Sequence, residues 1–106
     1  MLAANSEAHL ERIRVAVETV RSRGGRVAFV RPPSTGVLRE LERKFSPRPA
    51  FWDRMIAVSG APGIHFEDHP ELAAFDCPEW SHLTAADAVR FTEVLAPMLV
   101  AALDGQ

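Results

Sequence analysis

RVAFV, residues 26–30, is a short β-branched run that is apolar on both faces. That pattern suits a central strand of a parallel sheet rather than a half-exposed hairpin strand. Pro32-Pro33 closes the run, because proline brings no ladder donor. On the N-terminal side, Leu10, Ile13, Val17 and Val20 follow the 3, 4, 3 spacing of one helical face. Asn5 or Ser6 is available as N-cap and Gly24-Gly25 as the stop, so the strand is entered from a helix.

Downstream, Val37, Leu38, Leu41 and Phe45 mark a shorter helix that ends before SPRP. Phe51, Trp52, Met55 and Ile56 then give AFWDRMIAVS an apolar face, and GAPG closes it. IHFE, residues 64–67, reads as a second short strand, followed by an irregular stretch. Thr84 with Asp87 three residues on forms a capping box for a long last helix, with Val89, Leu95, Leu99 and Ala102 among its apolar positions and a kink expected at Pro97. The order helix, strand, helix, helix, strand, helix predicts α/β architecture: a short parallel sheet flanked by helices. A two-stranded sheet is marginal alone in water, so further strands are expected beside RVAFV, from another copy, another chain or a missing N-terminal part.

With 106 residues the chain is a single domain, 1–106, or part of a larger one. Apolar residues make up 47% and charged residues 25%, which is ordinary globular usage. Twelve basic against fourteen acidic residues give a net charge of -2, so no field draws in a phosphate backbone and nucleic acid is not an expected partner. The longest apolar run, LAPMLVAAL, is half a membrane span, and MLAANSEAHLER lacks the apolar core of a signal peptide. No membrane span and a cytoplasmic location are expected for the chain as it stands. The lone Cys77 excludes an internal disulfide.

Ligands of open parallel sheets bind beyond the carboxyl ends of the strands. Two loops leave that edge: RPPSTG, residues 31–36, and DHPELAAFDCPEWSHL, residues 68–83. The second carries Glu79 and His82. A histidine whose tautomer is fixed by a carboxylate can take a proton from a hydroxyl, and Glu79 or Asp76 can supply that carboxylate. Ser34 in the first loop and Trp80 in the second are the residues placed to contact substrate. Ser34 would have to face His82 to serve as a nucleophile, and Pro32 stands where a strained nucleophile turn has glycine. His65, Asp68 and His69 form an H-x-x-D-H cluster, but in a strand-to-loop segment this spacing does not bring the two imidazoles together, so no metal and no cofactor is expected.

FDCPEWSHLTAADAVRFTEVLAPML resembles the closing block of SGNH hydrolases, the GDSL-type esterase and acyltransferase superfamily, in which an acid-x-x-His precedes a long helix. GGRVAFVRPPSTG is similar to the strand and loop before that block. The resemblance runs from about Arg26 to Leu103 and implies a partial flavodoxin-like, SGNH-type three-layer fold. It also implies His82 as general base, Glu79 as its orienting acid, and a small acyl ester or acylated substrate. The superfamily's Gly-Asp-Ser nucleophile block and its oxyanion glycine and asparagine have no counterpart here. The chain therefore reads as the C-terminal half of such a domain, inactive alone, or else as a non-enzymatic module that dimerises through an exposed sheet edge.

Overall fold

The computed structural model describes residues 7–106. Helix α1 spans Glu7–Ser22, strand β1 Phe29–Arg31, helix α2 Gly36–Phe45, helix α3 Trp52–Ser59, strand β2 Gly63–His65, helix α4 Pro70–Ala73 and helix α5 Ala85–Asp104. Single 3-10 turns, Arg48–Ala50 and Phe66–Asp68, precede α3 and α4. The chain is a helix-rich α/β fold around a two-stranded parallel sheet. Asn5 and Ser6, the N-cap candidates of α1, lie outside the described residues.

Register explains the layering. Phe29 pairs with Gly63, Val30 with Ile64 and Arg31 with His65. Because side chains alternate along a strand, Gly63 and His65 share one sheet face and Ile64 takes the other. On the first face lies α3: a Cβ on Gly63 would come within 2.5 Å of Ile56 Cδ1 and 2.7 Å of Trp52 Cζ2. Only glycine lets the helix approach the strand this closely. Helix α1 packs on α3 in turn, burying Leu10 and Val17, and Arg54 pairs with Glu7 across the two helices.

On the second face, Ile64 joins Phe66, Leu72 and Phe91 in the main core. Leu95, Met98 and Leu99 of α5 pack against it, and Phe75 meets Phe91 edge to face at 5.6 Å. Thr84 caps α5 by accepting from the Asp87 amide at 3.1 Å. The helix runs through Pro97 to Asp104. The C-terminal Gln106 then folds back, and its side-chain amide bonds both the N–H and the C=O of Val27.

The readings of both strands need correction, and apolar positions on two helices lie open. The first strand occupies residues 29–31 rather than 26–30, and all three of its residues are half-buried, so it is not a strand buried on both faces. Arg26 is drawn instead to Asp104 at the end of α5. The second strand stops at His65, because Phe66 turns into a 3-10 helix and carries its ring into the core. Val89 is 60% exposed; the buried residue of α5 is Phe91, since the helix presents a different edge to β2. On α2, Val37, Leu41 and Phe45 face solvent and no residue is buried.

Candidate functional site

The two loops anticipated at the carboxyl edge of the sheet meet there. Thr35 joins them: its amide donates to Trp80 O at 2.9 Å, its hydroxyl donates to Cys77 O at 3.0 Å, and the same oxygen accepts from the Cys77 amide at 3.2 Å. Thr35 stands at the N-cap of α2, but its side chain makes no capping bond, having been taken up by Cys77. Buried Cys77 donates its thiol to Pro33 O at 3.4 Å. Burial, reinforced by the neighbouring Asp76 and Glu79 carboxylates, holds that thiol above its ordinary pKa.

Within this junction Glu79 curls back over the three residues that follow it. Its Oε1 accepts from the amides of Ser81, at 3.2 Å, and His82, and its Oε2 accepts from Ser81 Oγ at 2.6 Å. His82 Nδ1 lies 3.2 Å from Glu79 Oε1 and 2.8 Å from Ser81 Oγ. A carboxylate oxygen can only accept, so Nδ1 carries the proton and Nε2 is left as the basic nitrogen. Hydrogen bonding from the Ser81 hydroxyl, followed by the His82 amide, keeps the Glu79 carboxyl below its ordinary pKa. The imidazole is 83% exposed. No hydrogen bond or ion pair joins Asp76 to His82; the carboxylate in contact with the imidazole is that of Glu79.

Trp80 sits between Glu79 and His82 with φ of 77°, in the left-handed region. Holding a bulky residue there costs about 1–3 kcal/mol, which surrounding contacts must offset. Those contacts are the Thr35 bond and the indole lying across Gly36.

Ser34 is elsewhere. It is 3% exposed, and its hydroxyl donates to Glu42 while accepting from Arg31 at 3.4 Å. No hydrogen bond joins it to His82. It helps line a cavity of about 330 Å³ at the same sheet edge, which takes in neither Glu79, Trp80 nor His82. Register builds this cavity: Arg31 and His65, paired at the ends of the two strands, point to the α3 face, where the edge of Trp52 meets the His65 ring at 5.3 Å. Arg39 and Arg43 enter from α2, and Arg48 from the turn before α3.

Ion pairs order these arginines. Arg31 bonds Glu42 at 2.6 Å, Arg39 and Arg43 share Glu67 at 2.7 and 3.2 Å, and Arg48 holds Asp68 at 2.7 Å and Asp53 at 3.0 Å. Arg39 and Arg48 accordingly hold Glu67 and Asp68 below their ordinary pKa values. Burial, and then the charge of Arg48, lowers that of His65. The H-x-x-D-H residues go separate ways: His65 accepts from the Glu67 amide, Asp68 takes Arg48, and His69 lies 3.8 Å from Glu71. Among the described residues no group of three or more His, Cys, Asp or Glu could hold a metal ion. Nor is any helix there long and apolar enough to cross a membrane.

Sequence reading missed the arginine cavity. The available signal was Arg39 and Arg43, one turn apart on the helix after the first strand, with an acid two residues beyond the end of the second.

Compared with known proteins, the chain matches no family model, and no curated protein or solved structure shows significant similarity to it.

Proposed function

We propose that this chain is the histidine- and acid-bearing half of an SGNH-like ester hydrolase or acyltransferase domain, completed by a serine-bearing N-terminal half. The observation that carries this reading is the Glu79–His82 contact. The acid engages Nδ1 and leaves Nε2 turned outward, at the sheet edge where α/β folds gather their ligands. In the reaction Nε2 takes the proton of the incoming serine hydroxyl as its oxygen attacks the acyl carbonyl. It then returns that proton to the leaving oxygen. Glu79 steadies the imidazolium formed between these steps.

The test compares this chain with a version extended into the upstream reading frame, using short p-nitrophenyl esters. Turnover only in the extended protein, abolished by His82→Ala, supports the proposal. Turnover by the 106 residues alone would place the nucleophile on this chain, and turnover indifferent to His82→Ala would remove the histidine from the chemistry; either result ends the half-domain reading.

A second reading, association without catalysis, is favoured by one observation. Val37, Leu41 and Phe45 recur every four residues along α2 and all face solvent, beside a sheet of two strands. It predicts a dimer in sedimentation equilibrium whatever stands at position 82. A strict monomer at all concentrations removes it.

A further inference from the structure

We propose that the cavity between α2, α3 and the carboxyl end of the sheet binds a small organic anion, a phosphate monoester or carboxylate carried on an aromatic or short aliphatic body, with Arg39 and Arg43 receiving the charged group. The inference is independent of the acyl-transfer reading, since the cavity takes in neither Glu79 nor His82.

Its four guanidiniums are matched by four carboxylates, but unevenly. Arg48 is fully engaged by Asp53 and Asp68. On the α2 side three guanidiniums, Arg31, Arg39 and Arg43, face two carboxylates, Glu42 and Glu67. One carboxylate shared by Arg39 and Arg43 leaves most of their ten N–H donors without an anionic acceptor. Arg39 Nε is shielded from solvent and has no hydrogen-bond partner among the described residues. Orphaned buried donors are rare, and this one shows that Glu67 alone does not satisfy the Arg39 guanidinium. Arg43 stands at the mouth, its side chain 60% exposed. The positive excess is thus confined to the α2 side, where guanidiniums are suited to forked contacts with phosphate and carboxylate oxygens.

The remaining wall sets the body of the ligand. Phe51, Trp52, Met55 and Phe66 line it with apolar surface, and the Arg39 guanidinium already lies over the Phe66 ring at 4.9 Å. A volume of about 330 Å³ is at the small end of pockets that take organic ligands. Inorganic phosphate would use the charge but leave the aromatic wall uncovered.

Phenyl phosphate and benzoate, titrated separately into the chain at low ionic strength, test the proposal. Proton–nitrogen NMR of the arginine Nε–H groups and the Trp52 indole reports occupancy. At least one anion is expected to saturate these signals with Kd near or below about 1 mM, and the tighter of the two identifies the head group. Arg43→Gln, at an exposed position, and Arg39→Gln should each weaken binding about tenfold, while far-ultraviolet circular dichroism verifies that both variants fold. Benzyl alcohol, a ring without the charge, should bind at least about tenfold more weakly. Three results overturn the proposal: no saturation by either anion up to about 10 mM, equal binding of benzyl alcohol, or affinity unchanged in folded Arg43→Gln.

Discussion

The indole of Trp80 lies so close across Gly36 that a Cβ at position 36 would come within 2.6 Å of its Cδ1. Both residues have positive φ, 77° and 61°. The start of α2 and the acid–histidine turn are thereby locked into one unit.

Gly36→Ala should therefore destabilise the fold by about 1–3 kcal/mol, combining left-handed strain with the clash. Combining it with Trp80→Ala relieves the clash and leaves the strain, so urea unfolding of the four species should give a nonadditive cycle. Simple additivity would mean that the indole does not rest on Gly36.

On the proposed half-domain reading, His82→Ala in the serine-bearing extended protein should lower kcat/KM by about 10²–10⁴-fold, the usual worth of a general base. Glu79→Gln should cost less while leaving KM nearly unchanged, because the acid acts through the imidazole and not on substrate. Asp76→Asn should be close to neutral. A loss at Asp76 matching that at Glu79 would reverse the assignment of the orienting acid.

Stability should depend on pH through His65. Its folded pKa lies below the ordinary 6.5, so between the two values the unfolded chain binds more protons than the native one. Stability is then full above about 6.5 and falls as the pH drops toward the folded value. Glu67 and Asp68, with pKa values lowered from 4.5 and 3.8, add a further loss at more acidic pH as their arginine contacts are protonated away. Denaturant midpoints measured across this range should decline in two stages, and His65→Gln should flatten the first alone.

Leu72 is 0% exposed in the cluster with Ile64, Phe66 and Phe91. Leu72→Ala should cost about 2–5 kcal/mol, a large fraction of the roughly 5–15 kcal/mol that holds a domain of this size together. Val89→Ala on the outer face of α5 should change the unfolding midpoint little. Equal effects at the two sites would contradict the packing of α5.

Cys77 should resist thiol reagents in the native state, since burial and two nearby carboxylates disfavour its thiolate. Labelling with a chromogenic disulfide at mildly alkaline pH should be slow, and become rapid in urea. Fast labelling of the folded chain would mean that the Pro33–Cys77 junction opens.

Local chemistry accounts for what could be read without coordinates. Apolar spacing over three or four residues predicts α1, α2, α3 and α5, prolines end the first strand at Arg31, and Thr84 caps the last helix. The Glu79–His82 contact belongs with these: three residues in a turn keep acid and imidazole within reach of each other however the rest of the chain packs. The convergence of two loops at one sheet edge follows equally from the order of the elements.

Contacts between distant residues obey no such spacing. RVAFV gave no sign that only its last two residues would enter the sheet, because that depends on the Phe29–Gly63 pairing and on Asp104 drawing Arg26 away. Ser34 could be placed in the correct loop, but whether it met His82 or Glu42 depended on how α2 sits against that loop. The arginine cavity is the extreme case: its charged lining comes from β1, α2, the turn before α3 and the turn after β2, gathered by the Arg31–His65 register. Sequence alone determined the four longer helices, the approximate places of the two strands, their order and the acid–histidine turn, since each depends on interactions within a few residues. Tertiary structure decided which side chains from separate elements share a surface, since that is set by strand register and helix docking, which couple positions far apart in the chain.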